Sequence, residues 1–189
     1  ASFWLEGSLN PDTGTATGQT WTRRSTVSLS GGWGEMRLGR DYTATFWNWT
    51  IFDPFGTNGV GASSNLGLGG AVQSVPTGGS YATAVRANNI IAYFLPSGIA
   101  GGLYGQVQVA AGENAYGNKF FGGRLGYAAG PFDVAGAWGR TELTGNQDAT
   151  NYNFGGSWDF KFMKLMGFYG RLEVGPSDQD NWYIGAQAP

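Results

Sequence analysis

The sequence predicts an all-β protein, a transmembrane antiparallel β-barrel to which this chain contributes about ten strands. Three observations support this prediction. Apolar and polar residues alternate over segments of roughly nine to thirteen residues, which is the pattern of strands with one apolar and one polar face. The connections between the segments alternate between long and short. Glycine is abundant at 34 of 189 residues, aromatic residues make up 15%, and charged residues make up only 13%.

Composition and charge exclude several classes of function. The net charge of −2 leaves no basic stripe to neutralise phosphates, so nucleic acid is not expected as a partner. The chain has no cysteine and no histidine, and therefore lacks thiol chemistry and the commonest general base. No spaced pair of carboxylates stands out, so we predict no enzyme, no cofactor and no metal site. No apolar run reaches about 18 residues, so a membrane-spanning chain must cross as a closed barrel.

Residues 1–10, 20–30 and 33–41 are the first three predicted strands. Gly31 and Gly32 form a tight turn between the second and the third. The polar side of these strands includes Arg24, Glu35 and Arg37. Their apolar side consists of Phe3, Leu5, Leu9, Val27, Leu29, Met36 and Leu38.

Further strands are predicted at residues 86–95, 99–111, 119–129, 132–143, 152–162, 165–174 and 182–188. The clearest alternation is in 152–162, where Tyr152, Phe154, Trp158, Phe160 and Phe162 share one face. In 165–174 the pattern places Arg171 and Glu173 inward, and it places outward Met166, Phe168, Leu172 and Val174. Asp178 and Asp180 are predicted in a loop before the last strand, where solvation is expected rather than calcium binding.

A soluble carbohydrate-binding β-sandwich, with tryptophans as sugar platforms, is the alternative architecture, because its strands also alternate. The positions of the aromatic residues favour the barrel. They lie toward the ends of the segments, as expected for the girdles at the two membrane interfaces, and include Phe121, Tyr127, Trp138, Tyr152, Phe162 and Trp182.

Residues 42–85 form a long predicted loop without a sustained period of 2 or 3.6. A loop of this length inside a compact domain is normally functional or disordered, and its apolar first half argues against disorder. We predict that Trp47, Trp49, Phe52 and Phe55 anchor the loop to the inner wall rather than forming a sugar-stacking track. The glycine- and serine-rich residues 59–70 are then expected to run over this anchored half. The loop is therefore predicted to constrict the barrel.

Three motifs at this loop carry a family resemblance: Gly39-Arg40-Asp41-Tyr42, Phe52-Asp53-Pro54-Phe55-Gly56 and Arg86-Ala87-Asn88-Asn89. They resemble the segment around the third loop of trimeric general porins of Gram-negative bacteria, of the neisserial and betaproteobacterial type. The resemblance implies a sixteen-stranded barrel whose third loop folds inward and narrows the channel. It also implies location in the outer membrane, a homotrimer, contact with lipid and lipopolysaccharide, and small solutes and ions as the transported species.

Against that family pattern, residues 1–189 are interpreted as one incomplete porin barrel domain, with residues 42–85 as the constriction loop. The chain resembles about strands three to twelve of the family barrel. Ten strands left open would expose two unpaired edges to lipid. A central fragment of a longer protein is therefore favoured over an unusually small closed barrel.

The candidate pore residues are mainly arginines. By the resemblance, Arg40 and Arg86 match two wall arginines of the constriction. Strict alternation places Arg40 on the face of Met36 and Leu38, and we expect a bulge or strand end after Gly39 to re-aim it. Alternation alone places Arg24, Arg37, Arg124 and Arg171 inward, either as pore charges or as solvated lumen residues and ion-pair partners of Glu35, Asp133 and Glu173. Asp53 is the expected acidic residue of the constriction, with the start of an Asp-Pro turn as its alternative.

The sequence thus predicts an outer-membrane channel for passive diffusion of ions and small hydrophilic solutes, with selectivity set by an arginine-lined constriction. Low-dielectric walls around a water-filled constriction focus the field of such charges. A substrate-specific channel is a further alternative to the general channel.

Overall fold

The computed structural model describes residues 1–16, 20–63, 65, 82–112, 119–143 and 147–188. Within them, ten antiparallel strands form one sheet in chain order, which confirms the predicted fold class. The strands are β1 Ser2–Glu6, β2 Arg24–Gly31, β3 Gly34–Tyr42, β4 Arg86–Phe94, β5 Leu103–Ala110, β6 Phe120–Ala129, β7 Phe132–Glu142, β8 Asp148–Asp159, β9 Lys164–Val174 and β10 Ser177–Gln187.

The two faces of the sheet differ in the way that a barrel wall requires. On the outer face, large apolar side chains are exposed, as at Phe3, Leu125 and Ile184. On the inner face, polar side chains such as Gln108 and Asn153 are buried. A soluble sandwich would bury its apolar face against a second sheet, whereas the described residues form a single sheet. Apolar side chains therefore face outward and polar ones inward, as in a transmembrane barrel.

Strand β9 faces the opposite way from its predicted orientation. Its buried inner side comprises Met166, Phe168, Leu172 and Val174, and Arg171 lies on the outer side. The inner wall is apolar here because Phe168 packs against Trp49 at a ring-centroid distance of 5.1 Å and against Tyr183 at 5.3 Å. Alternation identifies two faces of a strand but does not identify the one that meets water. The prediction for β9 was wrong because its inner face is apolar where it packs against the long loop.

The connection between β9 and β10 is shorter than predicted. Ser177 already pairs with Val174, so the expected loop is a two-residue turn at Gly175 and Pro176. Asp178 and Asp180 consequently lie on a strand and form ion pairs with Arg171. The alternation of long and short connections ends at this hairpin.

Part of the predicted long loop is a helix, α1, from Ala44 to Phe52. Six of its residues are buried, and they lie on more than one side of the helix: Ala44, Thr45, Phe46, Asn48, Trp49 and Phe52. A helix buried on several sides has no clear amphipathic period, which explains why the sequence pattern did not reveal it. The helix ends at Phe52, and Asp53 is extended, because the residue before a proline is disfavoured in the helical region.

No helix in the described residues is long and apolar enough to cross a membrane. The same residues contain no cluster of three or more acidic side chains placed to hold a metal ion.

Candidate functional site

Helix α1 lies on the inner face of the sheet, against β6, β7 and β8. Phe52 is fully buried there, and Gly155 of β8 provides its space, because a Cβ at Gly155 would collide with the Phe52 ring. Trp49 is also buried and contacts Phe168. The close approach of helix to strand thus depends on a glycine in the wall.

The other two candidate anchors have different surroundings. Trp47 lies at the root of the loop, with its ring edge toward Tyr42 at a centroid distance of 5.4 Å. Phe55 is mostly exposed, and its ring lies over Gly61 of the same loop. Phe55 thus packs within its own loop, and it borders a pocket that Tyr183 and Gly185 of β10 also line. Residues 64 and 66–81, which include most of the expected covering segment, lie outside the described residues.

Asn48 forms a polar contact between the helix and the wall that sequence reasoning missed. Its Nδ2 donates to Asn153 Oδ1 at 2.8 Å and to the Ala135 carbonyl at 3.2 Å. Its Oδ1 accepts from Arg124 Nε at 2.9 Å, and Asn153 Nδ2 donates to the Thr45 carbonyl at 3.1 Å. We call Asn48, Arg124 and Asn153 the polar latch. The only sequence signal for it was an asparagine within an apolar run.

Arg124 is held on both sides of its guanidinium. Besides its bond to Asn48, it lies over the Tyr104 ring at 4.6 Å. Tyr104 in turn donates from its hydroxyl to Asp133 Oδ1 at 2.5 Å. Arg124 therefore supports the loop helix from the inner wall. Alternation predicted that Arg124 points inward but did not predict its contact with the helix.

The carboxylate of Asp53 is directed into the loop. It accepts hydrogen bonds from the backbone nitrogens of Phe55 at 2.9 Å, Thr57 at 3.1 Å and Ser63 at 2.9 Å. It also accepts from Ser63 Oγ at 2.6 Å, and the side chain is buried. These contacts are those of the Asp-Pro turn alternative. The role of Asp53 as the acidic residue of the constriction stays a prediction, and none of these contacts supports it.

Arg24 and Arg37 are on the inner face and share one buried carboxylate. Asp41 Oδ2 lies 2.6 Å from Arg37 Nη1 and 3.2 Å from Arg24 Nη2. Arg37 also pairs with Glu35 at 2.8 Å. These two arginines and two acids neutralise one another, so the group adds little net charge to the inner wall.

Arg40 and Arg86 lie at the same end of the sheet, because Arg40 bonds to Asn88, two residues from Arg86 on β4. Arg40 donates to the Thr22 carbonyl at 2.5 Å and to Asn88 Oδ1 at 2.6 Å. Arg86 donates to the Tyr42 hydroxyl at 2.9 Å and lies over that ring at 4.4 Å. Within the described residues, no carboxylate forms an ion pair with either arginine.

The irregularity expected after Gly39 is found in the neighbouring strand. Gly39 pairs with Ile90 and Asp41 with Ala87, so the extra residue belongs to β4, where Asn89 has φ 53°. Asparagine adopts this left-handed conformation more readily than most residues. Arg40 keeps its register with Ser25, so a bulge on its own strand does not re-aim it. Alternation thus leaves Arg40 on the side of Met36 and Leu38, at the end of β3, and its direction into the pore stays a prediction.

Known proteins similar to this chain identify its family. A family model described as Gram-negative porin matches residues 1–189. The chain belongs to the Gram-negative porin family. This porin chain is 34% identical over 202 residues to outer membrane porin protein 32 of Delftia acidovorans, with all of the chain and 56% of the relative covered. It is 28% identical over 215 residues to an outer membrane porin protein of Bordetella pertussis, of which it covers 50%.

The solved structures agree with this placement. The anion-selective porin from Comamonas acidovorans matches with a TM-score of 0.84 and 32% identity, over 99% of this chain and 58% of that one. A loop-deletion mutant of OmpT, an outer membrane protein of Vibrio cholerae, matches with a TM-score of 0.66 and 11% identity, over 93% of this chain and 60% of that one. The second likeness concerns the fold alone. The chain thus spans about half the length of the curated relatives, and the betaproteobacterial resemblance and the outer-membrane location are confirmed.

Proposed function

We propose that the protein containing this chain is a general channel for passive diffusion of ions and small hydrophilic solutes across the outer membrane, with a preference for anions. The observation that carries the proposal is the pair Arg40 and Arg86, which lies at the root of the inward loop without a paired carboxylate among the described residues. Two unneutralised guanidinium groups beside low-dielectric walls raise the local concentration of anions.

The long loop supplies no acid to oppose this field. Asp53 is the only acidic residue in the sequence from 42 to 85, and its carboxylate is occupied by the loop's own donors. In the inner wall, Arg24 and Arg37 are offset by Asp41 and Glu35. Arg124 also forms no ion pair among the described residues, but Asn48 and the Tyr104 ring cover its guanidinium, so we assign the net positive contribution to Arg40 and Arg86. The similar porin from Comamonas acidovorans is anion-selective, which agrees with this balance.

The test uses the full-length protein in a planar bilayer under a potassium chloride gradient. We expect the reversal potential to indicate anion preference and to move toward zero in the double variant Arg40→Gln with Arg86→Gln. The control replaces Lys119 and Arg140 by Gln, which removes the same charge from outer-face ion pairs with Glu142 and Asp148. A wild-type preference for cations, or an anion preference that the double variant retains, would overturn the proposal.

We also propose a homotrimer in the outer membrane, in contact with lipid and lipopolysaccharide, on the strength of the family membership. The mass of the full-length protein in detergent, measured by light scattering and corrected for bound detergent, tests the trimer. A monomeric mass under conditions in which the channel conducts would contradict it.

A further inference from the structure

The outer face of β4 to β7 contains an apolar groove with a volume of about 650 Å³. Its floor is built by glycines at outward positions, Gly105, Gly123 and Gly136. Its walls are the apolar side chains Tyr93, Leu95, Val107, Phe121, Leu125 and Trp138. This volume falls in the range of roughly 300–1,000 Å³ that is common for small-ligand sites.

The register shows why the depression forms. Gly123 pairs with Val107 on one side and with Trp138 on the other, so a residue without a side chain lies between two large ones. One row further along, Leu125 lies between Gly105 and Gly136. Phe121 and Trp138 meet edge to face at 5.8 Å and close one end of the groove.

We propose that this groove binds one acyl chain of an outer-membrane lipid. The floor offers no hydrogen bonds to a ligand, because the glycine backbones are already paired in the sheet. Arg124 and Asn153 also border the groove, but their side chains point to Asn48 on the inner face, so the side chains that form the walls carry no charge. An interface with another protein has a polar rim. The chain belongs to an outer-membrane family, so hydrocarbon surrounds this face, and an unfilled groove would forfeit dispersion contacts.

A positive charge lies beyond one end of the groove, where a lipid headgroup would be placed. Arg140 pairs with Phe121 across β6 and β7, and is the first charged residue beyond the aromatic end of the groove. Its guanidinium is exposed and bonds to Asp148. A headgroup placed at Arg140 would send its chain past Phe121 and Trp138 toward Leu125. The order of charge, aromatic ring and aliphatic side chain follows that of a membrane interface.

The test is native mass spectrometry of the full-length protein, released from detergent and titrated with a phosphatidylethanolamine bearing two saturated chains. Gly136→Leu fills the groove, and its Cβ meets only ordinary contacts, with the Asn153 carbonyl at 3.8 Å and the Phe154 ring at 3.9 Å. The matched control, Val27→Phe, adds the same number of carbon atoms to an exposed outer position on β2. We expect lipid occupancy to fall several-fold in Gly136→Leu and to be unchanged in Val27→Phe.

The groove lies on the outer face of the wall, away from the pore, so filling it should leave conductance unchanged. Channel conductance in the same preparations therefore shows whether each variant is folded. If Gly136→Leu does not fold, Leu125→Trp fills the groove from its side and the same comparison applies. Equal lipid occupancy in wild type and a folded groove-filling variant, or no retained lipid in wild type, would overturn the proposal. Disulfide-linked barrel pairs formed by Val107→Cys would also overturn it, because they would show a protein partner in the groove. None of these outcomes depends on ion selectivity.

Discussion

Asn48 of the loop helix accepts a hydrogen bond at 2.9 Å from Arg124, a cation on the inner face of the barrel wall. The same asparagine donates to Asn153 on β8 and to the Ala135 carbonyl on β7, so one side chain connects the helix to three strands. An arginine that alternation alone would assign to the pore thus positions the loop.

Replacing Asn48 by Ala should loosen the loop helix without unfolding the barrel. The change leaves Arg124 and Asn153 with unmet hydrogen-bonding groups, at a cost of about 1–3 kcal/mol. Backbone amides of α1 should then exchange with solvent at least about tenfold faster than in the wild type. Hydrogen exchange read by mass spectrometry checks this, and the single-channel current should become noisier. The control is Thr50→Ala, because the Thr50 hydroxyl bonds to Thr57 within the loop and to no other residue that the structure describes. Unchanged exchange in α1 would show that the polar latch does not hold the helix.

Gly155→Ala should displace the helix, because the added Cβ collides with the Phe52 ring. Overpacking of this kind costs about 1–3 kcal/mol. We expect a lower unfolding midpoint and a changed single-channel conductance. Phe52→Leu should partly restore both properties in the Gly155→Ala background, since the two sites are in contact and their effects are not additive. Additive losses in the double variant would show that the two residues act separately.

Asp53→Asn should leave ion selectivity almost unchanged and weaken the loop. The carboxylate accepts four hydrogen bonds from within the loop, and the amide cannot accept all of them equally well. Limited proteolysis should cut the variant within residues 53–65 faster than the wild type. A large shift of the reversal potential toward anions would instead assign Asp53 to the constriction.

Asp41→Asn should increase anion preference. The substitution leaves Arg24 and Arg37 without the carboxylate that they share, and breaking a buried ion pair costs about 3 kcal/mol or more. The reversal potential and the urea midpoint are the two measurements. Asp148→Asn removes a carboxylate from the outer face and serves as the control. Equal effects of the two substitutions on selectivity would contradict the inner placement of Asp41.

Arg171→Gln should not affect selectivity, because the structure places Arg171 on the outer face, among Glu173, Asp178 and Asp180. Comparison of its reversal potential with that of wild type tests the corrected orientation of β9. A shift of the reversal potential as large as that of the Arg40 and Arg86 double variant would show that Arg171 faces the pore, as the sequence predicted.

Alternation was sufficient to predict most of the wall, because apolar side chains such as Leu125 and Phe154 are exposed on its outer face. It failed at β9, where the inner face is apolar in order to receive Trp49. Helix α1 was missed because both of its sides are buried. The polar latch was beyond prediction, since Asn48 and Asn153 are brought together only by the folded loop. Asp53 was assigned from a motif, and its direction depends on donors such as Ser63, ten residues away.

The helix α1 rests on β6 to β8, whereas the unneutralised arginines belong to β3 and β4. In the proposed channel, the helix, a backbone cylinder about 10 Å thick that packs against Gly155, would set the width of the pore. The charge of the pore would be set by side chains on other strands. Size exclusion and charge discrimination can for that reason diverge separately among related channels, since a substitution that alters one need not disturb the other.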